Sequence, residues 1–229
     1  MLIDAGISCR ETVKRMERSG LSIKNIRGIF ISHEHSDHVH GVEVLSRKYG
    51  IPVYISHSTL KQSLLRLEKS LVSHFTPDEK LRIGSLTVRA FPKHHDGIDP
   101  YSFTISSNKI TAGVFTDIGK ACDHLIRHLG TCHAAFLESN YDEMMLEKGS
   151  YPLFLKRRIR GGEGHLSNLQ ALDLFLNHRA PFMKLLILSH LSEQNNRPNI
   201  VEQLFRPHAN GTRIEIASRY NESRVFQVG

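Results

Sequence analysis

Three histidines and an aspartate, all able to ligate a metal, fall within the six residues His33-Glu34-His35-Ser36-Asp37-His38. Imidazole nitrogen and carboxylate oxygen together suit Zn²⁺, Mn²⁺ or Fe²⁺. His33 and His35 are two apart and can share one face and one ion. Asp37 and His38 then turn toward a second site, and Asp37 is also placed to orient or deprotonate a water held by a metal. One such cluster cannot close two metal sites, so further ligands must come from elsewhere in the chain. Three positions repeat the pattern of a His or Asp at or just past the end of an apolar run. His94-His95-Asp96 follows residues 86–91, Asp117 follows 110–116, and His190 follows 185–189. Singly, each has an ordinary explanation, since Asp before Gly is usually a turn residue. Together they describe strands ending in ligands along one sheet edge.

The elements that must position these residues are legible in the same sequence. Residues 26–32 (IRGIFIS) form a buried strand that runs straight into His33. Ahead of it, residues 2–3 are a strand and Asp4-Ala5-Gly6 a turn. Ser8 and Glu11 have the spacing of a capping box before a helix that Gly20 stops. Residues 41–49 and 59–68 read as helices, and 51–56 and 71–75 as strands. Strands are expected over 81–91, 101–106, 109–116, 134–138, 185–189, 213–217 and 224–228. Helices are expected over 122–129, 151–159, from the Ser167 cap to about His178, and over 200–205. Strands alternating with helices around a β-rich middle indicate sheets covered by helices in one domain, residues 1–229.

Composition narrows the class. The chain has 229 residues, 40% hydrophobic and 23% charged, which is globular composition and argues against wholesale disorder. Lys and Arg number 30 against 23 Asp and Glu, a net charge of +7 that favours anionic partners. Fifteen histidines are the unusual count, because histidine is the commonest metal ligand. No apolar run approaches the ~20 residues that span a bilayer. The start, Met1-Leu2-Ile3-Asp4, lacks the basic and apolar regions of a signal peptide. Cys9, Cys122 and Cys132 are odd in number and widely spaced, as expected of reduced thiols in the cytoplasm. Lys156, Arg157, Arg158 and Arg160 form a basic run just before the Gly-rich turn 161–164, where they could hold a nucleic-acid backbone or simply face solvent.

In order along the chain, His33-x-His35-x-Asp37-His38, His95, Asp117 and His190 resemble the ligand series of the metallo-β-lactamase fold, across essentially the whole sequence. Asp4 resembles that superfamily's early aspartate, which supports the ligands from behind. The resemblance implies an α/β fold, an αββα four-layer sandwich, with two divalent ions, Zn or Mn. It assigns His33, His35 and His95 to one ion, Asp37, His38 and His190 to the other, and Asp117 to both. His95 is chosen over His94 because Asp96-Gly97 matches the family's His-Asp-Gly/Ala pattern. Leu2-Ile3-Asp4-Ala5-Gly6-Ile7-Ser8-Cys9-Arg10, Leu137-Glu138-Ser139-Asn140-Tyr141-Asp142, Gly164-His165-Leu166-Ser167-Asn168 and Ser189-His190-Leu191-Ser192-Glu193-Gln194-Asn195-Asn196 are similar to the YycJ/WalJ-type branch. That branch implies a bacterial 5′-to-3′ DNA exonuclease. The chain is also similar to the tRNA 3′-processing ribonuclease Z branch, which implies a catalytic role for His165 and an orienting role for Glu138.

Members of this fold usually begin with an extra strand and a Ser-Gly-Ser-x-Gly-Asn turn; this chain starts at the second element, so the domain is expected to lack its first strand. One fold hosts many substrates. A small-molecule hydrolase acting on a thioester, lactone or cyclic phosphodiester is therefore the alternative expectation, and an inactive truncated relative a third.

Overall fold

A computed structural model describes residues 1–228. The chain forms two compact units, one of residues 1–92 and 97–103, the other of residues 93–96 and 104 onward. Among the described residues, no helix is long and apolar enough to cross a membrane.

The first unit runs β1 (Leu2–Ile3), α1 (Cys9–Arg18), β2 (Ile29–Phe30), α2 (Ser36–Val39), α3 (Val42–Tyr49), β3 (Val53–Tyr54), α4 (His57–Ser63) and β4 (Val72–Ser73). An antiparallel hairpin comes next, β5 (Lys80–Ile83) and β6 (Leu86–Pro92). Strands β1 to β4 form a parallel sheet in chain order. Its ladders are only two residues long, so apolar burial must hold it together. Ile29, Phe30, Ile31, Val53 and Ile55 have no exposed surface at all. Phe30 stacks on Tyr54 with ring centroids 4.4 Å apart, and Phe103 meets Phe30 edge-on. Val13, Met16, Val42 and Leu45 from α1 and α3 join the core around Ile29 and Ile31. Helix α1 starts where the Ser8 hydroxyl accepts the Glu11 amide, and ends before Gly20, whose φ of 71° is left-handed.

After β7 (Tyr101–Ser107), the second unit continues with β8 (Ile110–Phe115), α5 (Asp123–Leu129), β9 (Ala134–Glu138), α6 (Glu143–Lys148), α7 (Leu153–Arg160), α8 (Asn168–His178), β10 (Leu185–Ser189), α9 (Pro198–Phe205) and β11 (Arg213–Ile216). Strands β8, β9, β10 and β11 are parallel neighbours in that order. The LLILS sequence of β10 is buried throughout, as befits a largely apolar central parallel strand. Ser167 begins α8 with a full capping box, its hydroxyl accepting the Gln170 amide while the Gln170 side chain accepts the Ser167 amide.

Parallel strands bring their carboxyl ends to a common edge, which is where such sheets place binding sites. In the first unit those ends lead into Asp4 and into Ser32-His33. In the second they lead into Asp117, Ser139 and His190.

Several expectations change. The run 81–91 is two strands, because Gly84 at φ 61° turns the chain inside an apolar stretch. Helix α4 stops at Ser63, since Leu64 takes a left-handed φ of 58°. Residues 224–228 form no strand; Phe226 and Val228 pack instead on Ala134, Leu185 and Ile187. Helix α6 is an element the apolar pattern does not announce, and the Asp142 carboxylate caps it by accepting the Met145 amide. The box at Ser8 is half made, because Glu11 pairs with Arg15 at 2.9 Å rather than reaching back.

Gly6 shows how tightly the first unit is closed around the histidine-rich turn. A Cβ there would sit 1.5 Å from the Asp37 carbonyl oxygen. Gly6→Ala is expected to destabilise by about 1–3 kcal/mol. The check is a lowered urea midpoint with an unchanged m-value.

Candidate metal centre

In the first unit, one carboxylate organises the histidines. Asp4 follows β1 with a left-handed φ of 57°, a strained conformation that aspartate tolerates better than most residues. Its Oδ1 accepts the Ser32 amide at 2.7 Å. Its Oδ2 accepts the Ser32 hydroxyl at 2.7 Å and faces His38 Nδ1 at 2.8 Å. The Ser32 Oγ in turn lies 2.8 Å from His33 Nδ1. An ionised carboxylate can only accept, so Nδ1 of His38 carries the proton and Nε2 keeps its lone pair. His33 Nε2 lies 3.0 Å from His35 Nδ1, the two rings meeting edge-on. That spacing is close to what two nitrogens need to share an ion through bonds of ~2.0–2.1 Å. His33 and His38 are buried, while the Asp37 side chain is 68% exposed with Oδ2 3.7 Å from His38 Nε2.

The second unit repeats this design. His95 Nδ1 lies 3.0 Å from the Gly164 carbonyl oxygen, an acceptor, so the lone pair is again on Nε2. That Nε2 is 3.7 Å from Asp117 Oδ1, and His190 Nε2 is 3.2 Å from the same oxygen. Burial pushes the His95 imidazole down to about 4, so it stays neutral and able to bind a metal. Asp117 and His190 each follow a strand with left-handed φ values of 56° and 58°. Buried Lys93 donates to the Thr116 carbonyl at 2.8 Å and lies 3.9 Å from Asp117 Oδ2.

Behind these side chains sits Glu138, which has no exposed surface. Its Oε1 is 2.7 Å from His165 Nδ1 and 2.9 Å from His190 Nδ1. Its Oε2 accepts the amides of Ile118 at 2.7 Å and Leu166 at 3.3 Å. Burial on its own would raise this carboxyl, but the two imidazoles outweigh burial and hold it at about 2. Donor atoms of Asp117, Glu138, His165 and His190 all lie within 4.8 Å of one another. The His165 ring is 5.2 Å from that of His95 and 5.3 Å from that of His190. Gly164 makes this approach possible, since a Cβ there would meet the Arg158 and Ile159 carbonyls at 2.2 Å.

The donor chemistry fits divalent ions. Nitrogens of His38 and His190 are backed by carboxylates and that of His95 by a carbonyl, which is the usual support of metal-binding imidazoles. His94 is exposed and makes its contact through the backbone, its carbonyl accepting the Gly119 amide at 2.7 Å. The basic run is divided. Arg158 pairs with Asp96, Lys156 and Arg160 bind Glu147, and Arg157 is exposed. Arg158 lines a cleft of about 360 Å³ with His165, Asn140, Tyr151, Gln194 and Arg219. Three participants carried no signal in the sequence. Ser32 is a serine at a strand end, Lys93 a lysine in a loop, and the Gly164 carbonyl is backbone.

The chain resembles known proteins along most of its length. A family model described as beta-lactamase superfamily domain matches residues 1–191. The chain is 32% identical over 204 residues to exodeoxyribonuclease YycJ of Bacillus anthracis, covering 86% of this chain and 75% of that protein. It is 29% identical over 201 residues to exodeoxyribonuclease WalJ of Streptococcus pneumoniae, covering 86% and 75%. The crystal structure of the metallo-beta-lactamase fold protein YhfI from Bacillus subtilis superposes with a TM-score of 0.72 at 17% identity, covering 94% of this chain and 83% of that one.

Two outcomes test the supporting groups. Asp4→Asn is expected to weaken metal binding about 10–100-fold in a chelator-competition titration, with the far-UV spectrum unchanged. In the metal-free chain, His95 takes up its proton near pH 4 when folded but near 6.5 when unfolded. The unfolded state therefore binds more protons between those values, and stability should fall as pH drops from about 6.5 to about 4. Glu138, ionised down to about 2 when folded and ordinarily to 4.5, extends the loss to lower pH. Urea unfolding of chelator-treated protein across this range is the check; a flat profile would contradict it.

Proposed function

The chain belongs to the beta-lactamase superfamily and has its α/β metallo-β-lactamase fold, and from that premise we propose that this hydrolase is a dinuclear metal-dependent phosphodiesterase, a 5′-to-3′ exonuclease of DNA. The observation that carries the proposal is the sharing of Glu138 by His165 and His190. A carboxylate that only supported a metal ligand would need one imidazole. A second one held by the same oxygen brings a proton donor close to the ligand. The names of the two relatives, both exodeoxyribonucleases, support the nucleic-acid substrate.

In this reading His33, His35 and His95 would hold one ion, Asp37, His38 and His190 the other, and Asp117 would serve both. When bound, the ions would polarise the phosphate oxygens and lower the pKa of an attacking water. The chain's own residues do the rest. Asp4, through Ser32 and His38, and Glu138, through His190, fix the ring orientations before substrate arrives. Asp37 orients the attacking water. His165, held at Nδ1 by Glu138, uses Nε2 to hand a proton to the leaving oxygen. Arg158 lies in the same cleft as His165 and meets the backbone phosphates, with Lys156, Arg157 and Arg160 extending the basic surface. The three cysteines are free thiols, which suits a protein of the reducing cytoplasm.

End-labelled duplex DNA incubated with the protein and Mn²⁺ should release mononucleotides from 5′ ends. Cleavage of a thioester or lactone with DNA left intact would overturn the assignment. Asp117→Ala should lose metal and activity together. His165→Ala should keep its metal, measured by elemental analysis, while kcat falls about 10²–10⁴-fold. Arg157→Ala should weaken DNA binding evenly across sequences and reduce the salt slope by about one.

A further inference from the structure

The segments 137–142, 164–168 and 189–196 each carry one member of the Glu138, His165 and His190 group. Behind that group they are joined by buried side-chain amides to which the proposed reaction gives no task. Asn168 and Asn196 are each 2% exposed. Asn168 Nδ2 donates to Asn196 Oδ1 at 3.0 Å, and Asn196 Nδ2 donates back to Asn168 Oδ1 at 2.8 Å, closing a reciprocal amide pair. The Ser139 hydroxyl adds a 2.6 Å bond to Asn168 Oδ1. Asn196 Nδ2 also faces the carbonyls of Ser139 at 2.8 Å and Asn140 at 3.0 Å, so its two hydrogens are shared among three acceptors. From the next residue, Asn140 Nδ2 donates to the His190 carbonyl at 2.8 Å.

Main-chain bonds complete the joint. Asn140 donates to Leu166, Asn168 to Tyr141, and Ser139 to Ser189, at 2.8–3.0 Å. Each segment is therefore bonded to the other two, and the amide pair lies at the crossing. Apolar side chains could fill the same space but could not fix an orientation. A buried hydrogen-bonded network does so, because a displacement lengthens several directional bonds at once. Asn168 lies three residues beyond His165 and Asn196 six beyond His190. A shift between the two asparagines would therefore move the two imidazoles relative to each other and to Glu138.

We propose that the Asn168–Asn196 amide pair is a positioning device that sets the separation between His165 and His190, and so keeps the proton donor in register with the metal ligand. The inference rests on the phosphodiesterase reading for its kinetic consequence and on the hydrogen-bond network for its structural one. Neither asparagine touches the reacting atoms; they act through the imidazoles. A misplacement of about 1 Å can cost ~10²-fold in rate, which is the scale expected here.

The test compares two diesters with the metal-loaded full chain. DNA leaves an alkoxide that needs a proton, whereas bis(p-nitrophenyl) phosphate leaves a stable phenolate that does not. Asn168→Ala and Asn196→Ala should each lower kcat on DNA about 10–100-fold, with KM nearly unchanged and the aryl diester little affected. The double variant should be no worse than either single one, because the pair acts as a unit. In the metal-free chain, long-range ¹H–¹⁵N spectra should show shifted Nδ1 signals for His165 and His190 in both variants. If the alanine variants do not fold, Ser139→Ala removes one bond from the network and should show the same selectivity in milder form. Equal losses on both diesters, or additive single effects, would overturn the proposal. Wild-type protein that cleaves neither diester would refute the phosphodiesterase reading instead. The imidazole spectra would then decide the positioning role, and unchanged spectra would reject it.

Discussion

The Glu138 carboxylate is the group on which the arrangement of the second unit's histidines depends. A charge without solvent is costly unless other groups replace its water, and removing one partner of such a buried pair costs roughly 3–5 kcal/mol. Here two imidazoles occupy one oxygen and two backbone amides the other, so both oxygens are satisfied. This places a demand on the surrounding chain. The loop after β8 must present the Ile118 amide, the turn before α8 must present Leu166, and His165 and His190 must approach the same oxygen from different segments. The left-handed backbone at Asp117 and His190, each costing about 1–3 kcal/mol, is tolerated because these bonds leave the chain no other route.

Asp4 solves the same problem in the first unit with fewer atoms. It binds Ser32 twice and His38 once, and Ser32 passes the constraint on to His33. Two strands of two residues could not hold two imidazoles in fixed orientations by ladder bonds alone. The buried aliphatic and aromatic side chains around Ile29 and Phe30 fix the strands, and the carboxylate fixes the serine and the histidines beyond the strand ends. Rigidity therefore comes from apolar packing within the strands and from charge-assisted hydrogen bonds past them.

That division explains what the sequence could disclose. Long apolar runs such as LLILS in β10, and the crowding of donors between His33 and His38, are local patterns, so the strands and the histidine-rich turn are readable directly. His95, Asp117 and His190 are legible because each stands at or just past the end of an apolar run. Ser32 and Lys93 stand there too, but a serine or lysine after a strand has no distinctive chemistry until its partners are known. Glu138 is legible only by resemblance, since its value lies in contacts 27 and 52 residues away. The run 81–91 is illegible for a related reason: one glycine, Gly84, reverses a stretch whose apolar pattern continues through the turn.

The asparagines are the clearest case of a signal that local reading cannot interpret. Asn168 at the first position of α8 looks like a capping residue, yet Ser167 performs the cap and Asn168 turns inward to Asn196. Polar side chains in loops ordinarily face water, so periodicity gives no hint that Ser139, Asn140, Asn168 and Asn196 are buried together. Their cost of burial is offset only because the amides complement one another, and that complementarity fixes a geometry rather than adding to stability at large. A carboxylate shared by two imidazoles needs such a frame. Without one, Glu138 could satisfy itself with His190 and the two amides, and His165 would be free to swing away from His190.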